Sequence, residues 1–353
     1  MDKSIKIGLA LAVALGAGLV SYYYFSDSRT DLPQEKKIGE IPEKKVSLIW
    51  REITNSAAFQ PRDSAAGFVF QDKIWMIGGI NGDGLVSEKH FIPYWKAPHF
   101  NDVWNSEDSL NWNKIETSKI WAPRRSMNIV ELNNKLWMFG GWSPQGGYTS
   151  DLWESDDGIN WIKSEIKVPW EPREGQVVEY FSNRAFAIGG VNYDKRKTYN
   201  DVWSSSDGIN WELAVNNAPW APRWDFSLTT FDGKLHLMGG MDIKDNEFND
   251  VWVSQDGSNW LLQTDSAPWA TRQGHGSANL GGRLWLFGRL NDRDHLGSND
   301  MWSTEDGTSW NNEGELPWAG REDFSTAVFK DKIYIFGGMA NDWTWRNDVW
   351  EGT

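Results

Sequence analysis

The same unit of roughly fifty residues is written six times along this 353-residue chain, so the fold must be built by stacking copies of one small element. A Gly-Gly pair stands at Gly78-Gly79, Gly140-Gly141, Gly189-Gly190, Gly239-Gly240 and Gly337-Gly338, with Gly288-Arg289 as a degenerate copy. Each is followed by Asp, an apolar residue and Trp, as in Asp102-Val103-Trp104, Asp201-Val202-Trp203 and Asp348-Val349-Trp350. A turn such as Ser205-Ser206-Asp207-Gly208 comes next, then a second Trp: Trp112, Trp161, Trp211, Trp260 and Trp310. Trp-x-Pro-Arg, or a decayed form of it, ends at Arg124, Arg173, Arg223, Arg272 and Arg321 and opens the following copy.

Within one copy, residues 226–231, 234–238, 251–254 and 260–263 are short β-prone runs bounded by Gly, Asp or Pro. Asp232-Gly233 and Asp256-Gly257 are dipeptides that close hairpins. Each copy therefore reads as a four-stranded antiparallel meander, strands a to d. So small a sheet cannot bury its own faces, and six of them stacked around an axis make an all-β, six-bladed propeller. The last copy stops at Thr353, after its strand c, and the missing strand d is expected from the N-terminal side. There, residues 46–50 read as a strand, and Phe59-Gln60-Pro61-Arg62 matches the Trp-x-Pro-Arg frame. Such a closure leaves no open edge, and makes residues 46–353 one domain.

These landmarks resemble the Kelch family of β-propellers, with the Gly-Gly pair closing strand b, two aromatics downstream and Pro-Arg opening the next blade, over about six-sevenths of the chain. The chain departs from the common Kelch form in carrying Trp where Tyr is usual in strand c. Its Ser-x-Asp-Gly-x-x-Trp turns resemble shortened Asp-boxes of sialidase propellers. The resemblance implies a fold more than an activity, because propellers host enzymes, binders and scaffolds alike. It includes an enzymatic precedent, the six-bladed sialic acid mutarotases of bacteria. It also implies that residues just after each repeated Arg enter strand a beside the central channel.

Residues 1–25 place Lys3 and Lys6 before an apolar run at 7–25 broken only by Ser21, long enough at about 1.5 Å per residue to nearly cross a membrane. The lysines before it and Asp27 and Asp31 after it orient the N-terminus to the cytoplasm. The expectation is an uncleaved single-pass anchor in the inner or cytoplasmic membrane, with the propeller on the periplasmic or extracellular side. The alternative is a cleaved signal peptide ending near Gly16-Ala17-Gly18. Residues 26–45, rich in Ser, Asp, Glu, Lys and Pro, read as a solvated linker. The chain has no cysteine, which excludes disulfides, thiolate catalysis, a lipobox and the Cys-Tyr radical chemistry found in some Kelch-like oxidases. A formal charge of −14 disfavours nucleic acid and anionic lipid as partners.

Whatever recurs in every blade serves the scaffold, so candidate functional residues are those that occur once. Of 25 tryptophans, twenty occupy frame positions; Trp95, Trp142, Trp224, Trp343 and Trp345 do not. All five fall in bc loops or da links, which share one face of the ring, and the bc loops are also where length varies. Exposed aromatics at such a mouth suit the apolar faces of sugar rings or groups on a protein partner; the alternative is that they pack beneath their own loops. The residues after each repeated Arg also differ from blade to blade: Asp63-Ser64, Arg125-Ser126, Glu174-Gly175, Trp224-Asp225, Gln273-Gly274 and Glu322-Asp323. Five carboxylates against Arg125 make an acidic ring favouring neutral polyols, amines or a basic peptide, with the repeated arginines held in structural pairs. Glu174 and Glu322 are the candidates for an acid and base pair.

The five histidines are scattered with no metal-ligand spacing, and His236 takes a strand b aromatic position. Asn81-Gly82-Asp83-Gly84 and 291–294 read as solvated turns rather than calcium loops. No phosphate loop, dinucleotide fingerprint or nucleophile elbow occurs. The expectation is a monomeric propeller, without cofactor or metal, that binds a glycan or an envelope protein through its bc face. The alternatives are a carbohydrate-active enzyme, such as an epimerase, mutarotase or lyase, and a structural part of an envelope complex.

Overall fold

The computed structural model describes residues 47–87, 92–117, 121–289 and 298–353. Six four-stranded antiparallel sheets form a six-bladed β-propeller. The fourth blade is representative: strands Ser227–Phe231, Lys234–Met238, Val251–Ser254 and Trp260–Thr264 pair in that order. The sixth blade takes Ser325–Phe329, Lys332–Phe336 and Val349–Gly352 from the C-terminal end and Trp50–Thr54 from the N-terminal side. Ring closure is therefore as read from the repeat, but the closing strand begins at Trp50 instead of ending there. Trp50 pairs with Gly352 and Thr54 with Val349. The strand is shifted because its Trp must occupy the same first position that Trp260 holds in the fourth blade.

The repeated tryptophans explain why the blades hold together. In every blade, the link aromatic packs edge-on against the Trp of strand d and edge-on or tilted against that of strand c. Trp220 lies 6.0 Å from Trp252 and 4.6 Å from Trp260, and Trp318 lies 4.9 Å from Trp350 and 4.8 Å from Trp50. Each triad belongs to an apolar core shared between adjacent blades, such as the cluster joining Phe181, Phe186 and Ile188 to Leu235, Leu237 and Trp260. The cores thus lie between sheets, as expected of units that cannot bury a face alone.

The repeated arginines are structural. Arg62, Arg124, Arg173, Arg223, Arg272 and Arg321 are all buried, and each guanidinium forks onto the Asp of its blade's Asp-apolar-Trp signature: Asp102, Asp151, Asp201, Asp250, Asp300 and Asp348. Each also donates to the carbonyl of the first Gly after strand b, as Arg62 does to Gly78 at 2.8 Å. The second Gly is required by space as well as by its φ of 100°, since a Cβ on Gly79 would sit 2.6 Å from the Asp63 carbonyl oxygen. In the cd turns, the Asp carboxylate accepts two backbone N–H groups, as Asp207 does from Ile209 and Asn210, and the turn packs on the strand b aromatic of the preceding blade. His236 is such a packed residue, 2% exposed and beside Gly307 of the next blade.

Residues 1–46, which carry the expected anchor and the whole of the linker, lie outside the described residues, as do His90, His295 and residues 291–294. Among the described residues no helix is long and apolar enough to cross a membrane. The Asn81 side chain accepts the Asp83 N–H at 2.7 Å, closing a turn on itself.

Candidate functional site

Two residues follow each repeated Arg, and among the described residues the backbone treats them alike in most blades. The first pairs antiparallel with the residue after the Gly-Gly position: Asp63 with Ile80, Arg125 with Trp142, Glu174 with Val191, Trp224 with Met241, and Glu322 with Met339. The second turns left-handed, with φ between 49° and 61° at Ser64, Ser126, Gly175, Asp225, Gly274 and Asp323. Five of these positions donate their N–H to the carbonyl of the preceding blade's equivalent: Ser64 to Asp323, Ser126 to Ser64, Asp225 to Gly175, Gly274 to Asp225 and Asp323 to Gly274. This waist divides the channel into a mouth cavity of about 580 Å³ on the bc face and a second cavity of about 180 Å³ beyond it. Glycine is needed at two waist positions, since a Cβ on Gly175 would meet the Trp224 ring at 2.6 Å and one on Gly274 the Glu322 Cβ at 2.8 Å.

Ten of the eleven residues singled out in the sequence line the mouth cavity. The wall holds Trp95, Trp142, Trp224 and Trp343; the floor holds Asp63, Arg125, Glu174, Asp225, Glu322 and Asp323. Trp95 is 56% exposed at the rim, and the other three wall tryptophans are half-buried. Trp345 is the exception. It is buried against Ile92 and Met339 in a small core joining the first and sixth bc loops, so it is not an exposed aromatic of the mouth. It acts through the floor instead, donating its indole N–H to Asp63 Oδ2 at 2.8 Å.

The structure adds residues that sequence reasoning did not single out. Tyr94, Tyr148 and Tyr193 enter the wall from three different bc loops, and Gln273 joins the floor. Only the varying length of those loops hinted at the tyrosines, while Gln273 stood in the post-Arg series without a charge to draw attention. The second and third bc loops are also more ordered than loops as read, each forming a two-residue hairpin: Trp142–Ser143 with Gly147–Tyr148, and Val191–Asn192 with Lys197–Thr198. Tyr148 and Tyr193 sit in or beside these hairpins, and the Tyr148 hydroxyl accepts the Tyr193 N–H at 2.9 Å.

The floor is an arranged set of charges. Arg125 donates Nε and Nη2 to the two oxygens of Glu174 at 2.9 and 3.1 Å, and its guanidinium lies 4.7 Å from the Tyr94 ring and 5.4 Å from Trp142. Glu322 accepts the Gln273 amide at 2.6 Å, and Asp323 accepts the Ser64 hydroxyl at 3.1 Å. Both members of the Glu174 and Glu322 pair are thus engaged by neighbours. Asp63 is 3% exposed, and burial, reinforced by the nearby Asp323 carboxylate, pushes its pKa up to about 8. Burial, then Asp323 and Glu322, raise Asp225 well above the carboxylate range. Asp63 and Asp225 are therefore held toward their protonated forms at neutral pH. Among the described residues no group of three or more His, Cys, Asp or Glu side chains could hold a metal ion.

No family model matches the chain, and no curated protein does. Among solved structures, one titled "Structure of YjhT" superposes with a TM-score of 0.65 at 14% identity, covering 84% of this chain and 96% of that one. The likeness is one of fold.

Proposed function

We propose that this chain is a binding propeller of Kelch type that takes a glycan into the mouth cavity of its bc face. The observation that carries the reading is the convergence of ten unrepeated residues from five of the six blades on one cavity, with tryptophan on its wall and hydrogen-bonding carboxyls on its floor. A cavity of about 580 Å³ lies within the usual range for small-ligand sites. Indole faces suit the C–H faces of sugar rings, and the floor offers acceptors for hydroxyl groups. The repeated arginines are paired within the blades and leave the mouth acidic, which disfavours anionic sugars. The propeller acts outside the cytoplasm as a monomer tethered by residues 1–25; that part of the proposal rests on the apolar run and its flanking charges alone.

The test is a glycan array probed with the full chain beside a Trp95→Ala, Trp142→Ala, Trp343→Ala variant. Trp345 is left intact because its burial would confound binding with folding. Specific binding by the parent that is lost in a folded variant supports the reading. A blank array sinks it and turns the search to protein partners or a structural part in an envelope complex.

One observation favours a second reading, a sugar epimerase, mutarotase or lyase: Asp63, buried in the floor with a raised pKa, offers an acid at neutral pH in a cavity that also holds other carboxyls. Any glycan that binds is therefore to be followed for turnover by NMR. Loss of turnover in Asp63→Asn with binding retained would establish the enzyme.

A further inference from the structure

The waist beneath the mouth cavity is too narrow for a sugar. Five of its N–H groups bond the preceding blade's carbonyl at 2.9 to 3.4 Å, and the sixth junction, between blades two and three, is spanned one residue earlier by the fork of Arg125 on Glu174. Backbone segments bonded in this way stand about 4.8 Å apart, so six of them enclose a ring of about 4.8 Å radius. The backbone atoms themselves take about 1.9 Å of it, half of a carbon–carbon contact, and leave roughly 3 Å free. The side chains of Ser64, Ser126, Asp225 and Asp323 border the cavities on both sides of this opening and narrow it further. Water passes such a gap, but a sugar ring with its hydroxyls does not.

The sides are walled as well. Tyr94, Trp142, Tyr193, Met241 and Trp343 bring the bc loops of blades one, two, three, four and six to the cavity. A polymer that threads a site, or lies across it, needs an exit opposite its entrance. Among the described residues, the floor and these five loops leave the way open toward the bc face.

The floor also holds a buried atom in need of a partner. Asp63, 3% exposed, accepts the Trp345 indole N–H through Oδ2, while its Oδ1 has no hydrogen-bond partner among the described residues. Leaving such an atom unpaired is costly, and at the bottom of a cavity a ligand relieves it. A sugar hydroxyl does so in either state of the carboxyl, donating to the carboxylate or accepting from the acid. A segment resting on the exposed rim at Trp95 does not reach that depth, whereas the end of a chain does.

Resting on the glycan reading above, we propose that the mouth cavity is a blind cup that reads the end of a glycan chain, with the terminal unit seated on the floor against Asp63 and the units behind it passing the rim at Trp95. Internal segments of the same polymer are excluded by the closed waist and the surrounding loops.

The test is native mass spectrometry of the full chain against a library of free oligosaccharides, in which each disaccharide unit occurs once at an open chain end and once inside a longer chain, capped at both ends by a different sugar. Units that bind at an open end should lose at least about tenfold in affinity when capped. Asp63→Ala, with an unchanged circular dichroism spectrum, should weaken open-end ligands of every length by a similar factor, whereas Trp95→Ala should weaken longer chains more than the shortest that binds. A smaller loss on capping overturns the chain-end assignment and leaves the glycan reading standing. Binding of no member of the library overturns both. A folded Asp63→Ala with the affinity of the parent overturns the seating on Asp63, and if that variant does not fold, the comparison of open and capped ligands on the parent decides alone.

Discussion

Replacing Asp102 by Asn tests the claim that the repeated arginines are staples rather than ligands. The Arg62 side chain has no exposure and that of Asp102 only 17%. The guanidinium donates to Asp102 at 2.6 and 3.0 Å, to the Gly78 carbonyl at 2.8 Å and to the Gln60 carbonyl at 3.0 Å, and lies 4.0 Å from the Phe100 ring. Asn keeps the volume and one acceptor but removes the compensating charge and presents an N–H to the second guanidinium nitrogen. Breaking a buried pair from one side costs about 3–5 kcal/mol, and the partial water access of Asp102 places this case at about 3 kcal/mol. For a folded unit of this size that is a fall of roughly 5 °C in Tm, read by tryptophan fluorescence and by urea titration. Glu212→Gln, which removes the exposed partner of Arg184, is the control and should cost less than about 1 kcal/mol. Burial would raise the Asp102 pKa, but the hydrogen bonds and charge of Arg62 outweigh it and hold the carboxyl below its ordinary value. Its stabilisation is therefore fully present above about pH 4 and is lost as pH falls through the lowered folded pKa, so the gap between parent and variant should close in acid. Equal costs for Asp102→Asn and Glu212→Gln would refute the staple.

Asp63 has the opposite sign. Its folded pKa of about 8 lies above the unfolded value, so the folded chain binds the extra proton between about pH 4 and 8 and loses stability as pH rises across that window. Asp63→Asn should therefore stabilise the chain more at pH 8 than at pH 5 in paired thermal melts, and an equal effect at both would contradict the burial of a strained carboxyl. Trp220→Ala removes the centre of one aromatic triad and should cost about 3–5 kcal/mol in urea unfolding; a loss below about 1 kcal/mol would mean that the triads are not the inter-blade cement. Trp50→Ala strips the closing strand of its contacts with Trp318 and Phe287, and hydrogen exchange should then accelerate first along Val349–Gly352. Exchange that rises evenly over all six blades would show that closure is not the weak point.

The repeat by itself determined the number of blades, the order of strands within each and the closure of the ring from both chain ends. These follow from local patterns recurring in register: a Gly-Gly bend, a hairpin turn and a Trp at fixed spacing carry the same instruction in every copy. Departures from the frame also pointed to one face, since the scaffold demands sameness and Trp142, Glu174 or Asp225 break it. Tertiary structure decided what those residues do there. Trp343 and Trp345 are two apart in one loop, yet one lines the cavity and the other is buried beneath it, because the first bc loop arrives from across the seam of the ring to cover Trp345. Tyr94, Tyr148 and Tyr193 come together from three loops with no shared motif. The protonation of the floor likewise depends on how closely Asp63, Asp225 and Asp323 approach from three blades, and that distance is set by the curvature of the closed ring, which no single repeat encodes.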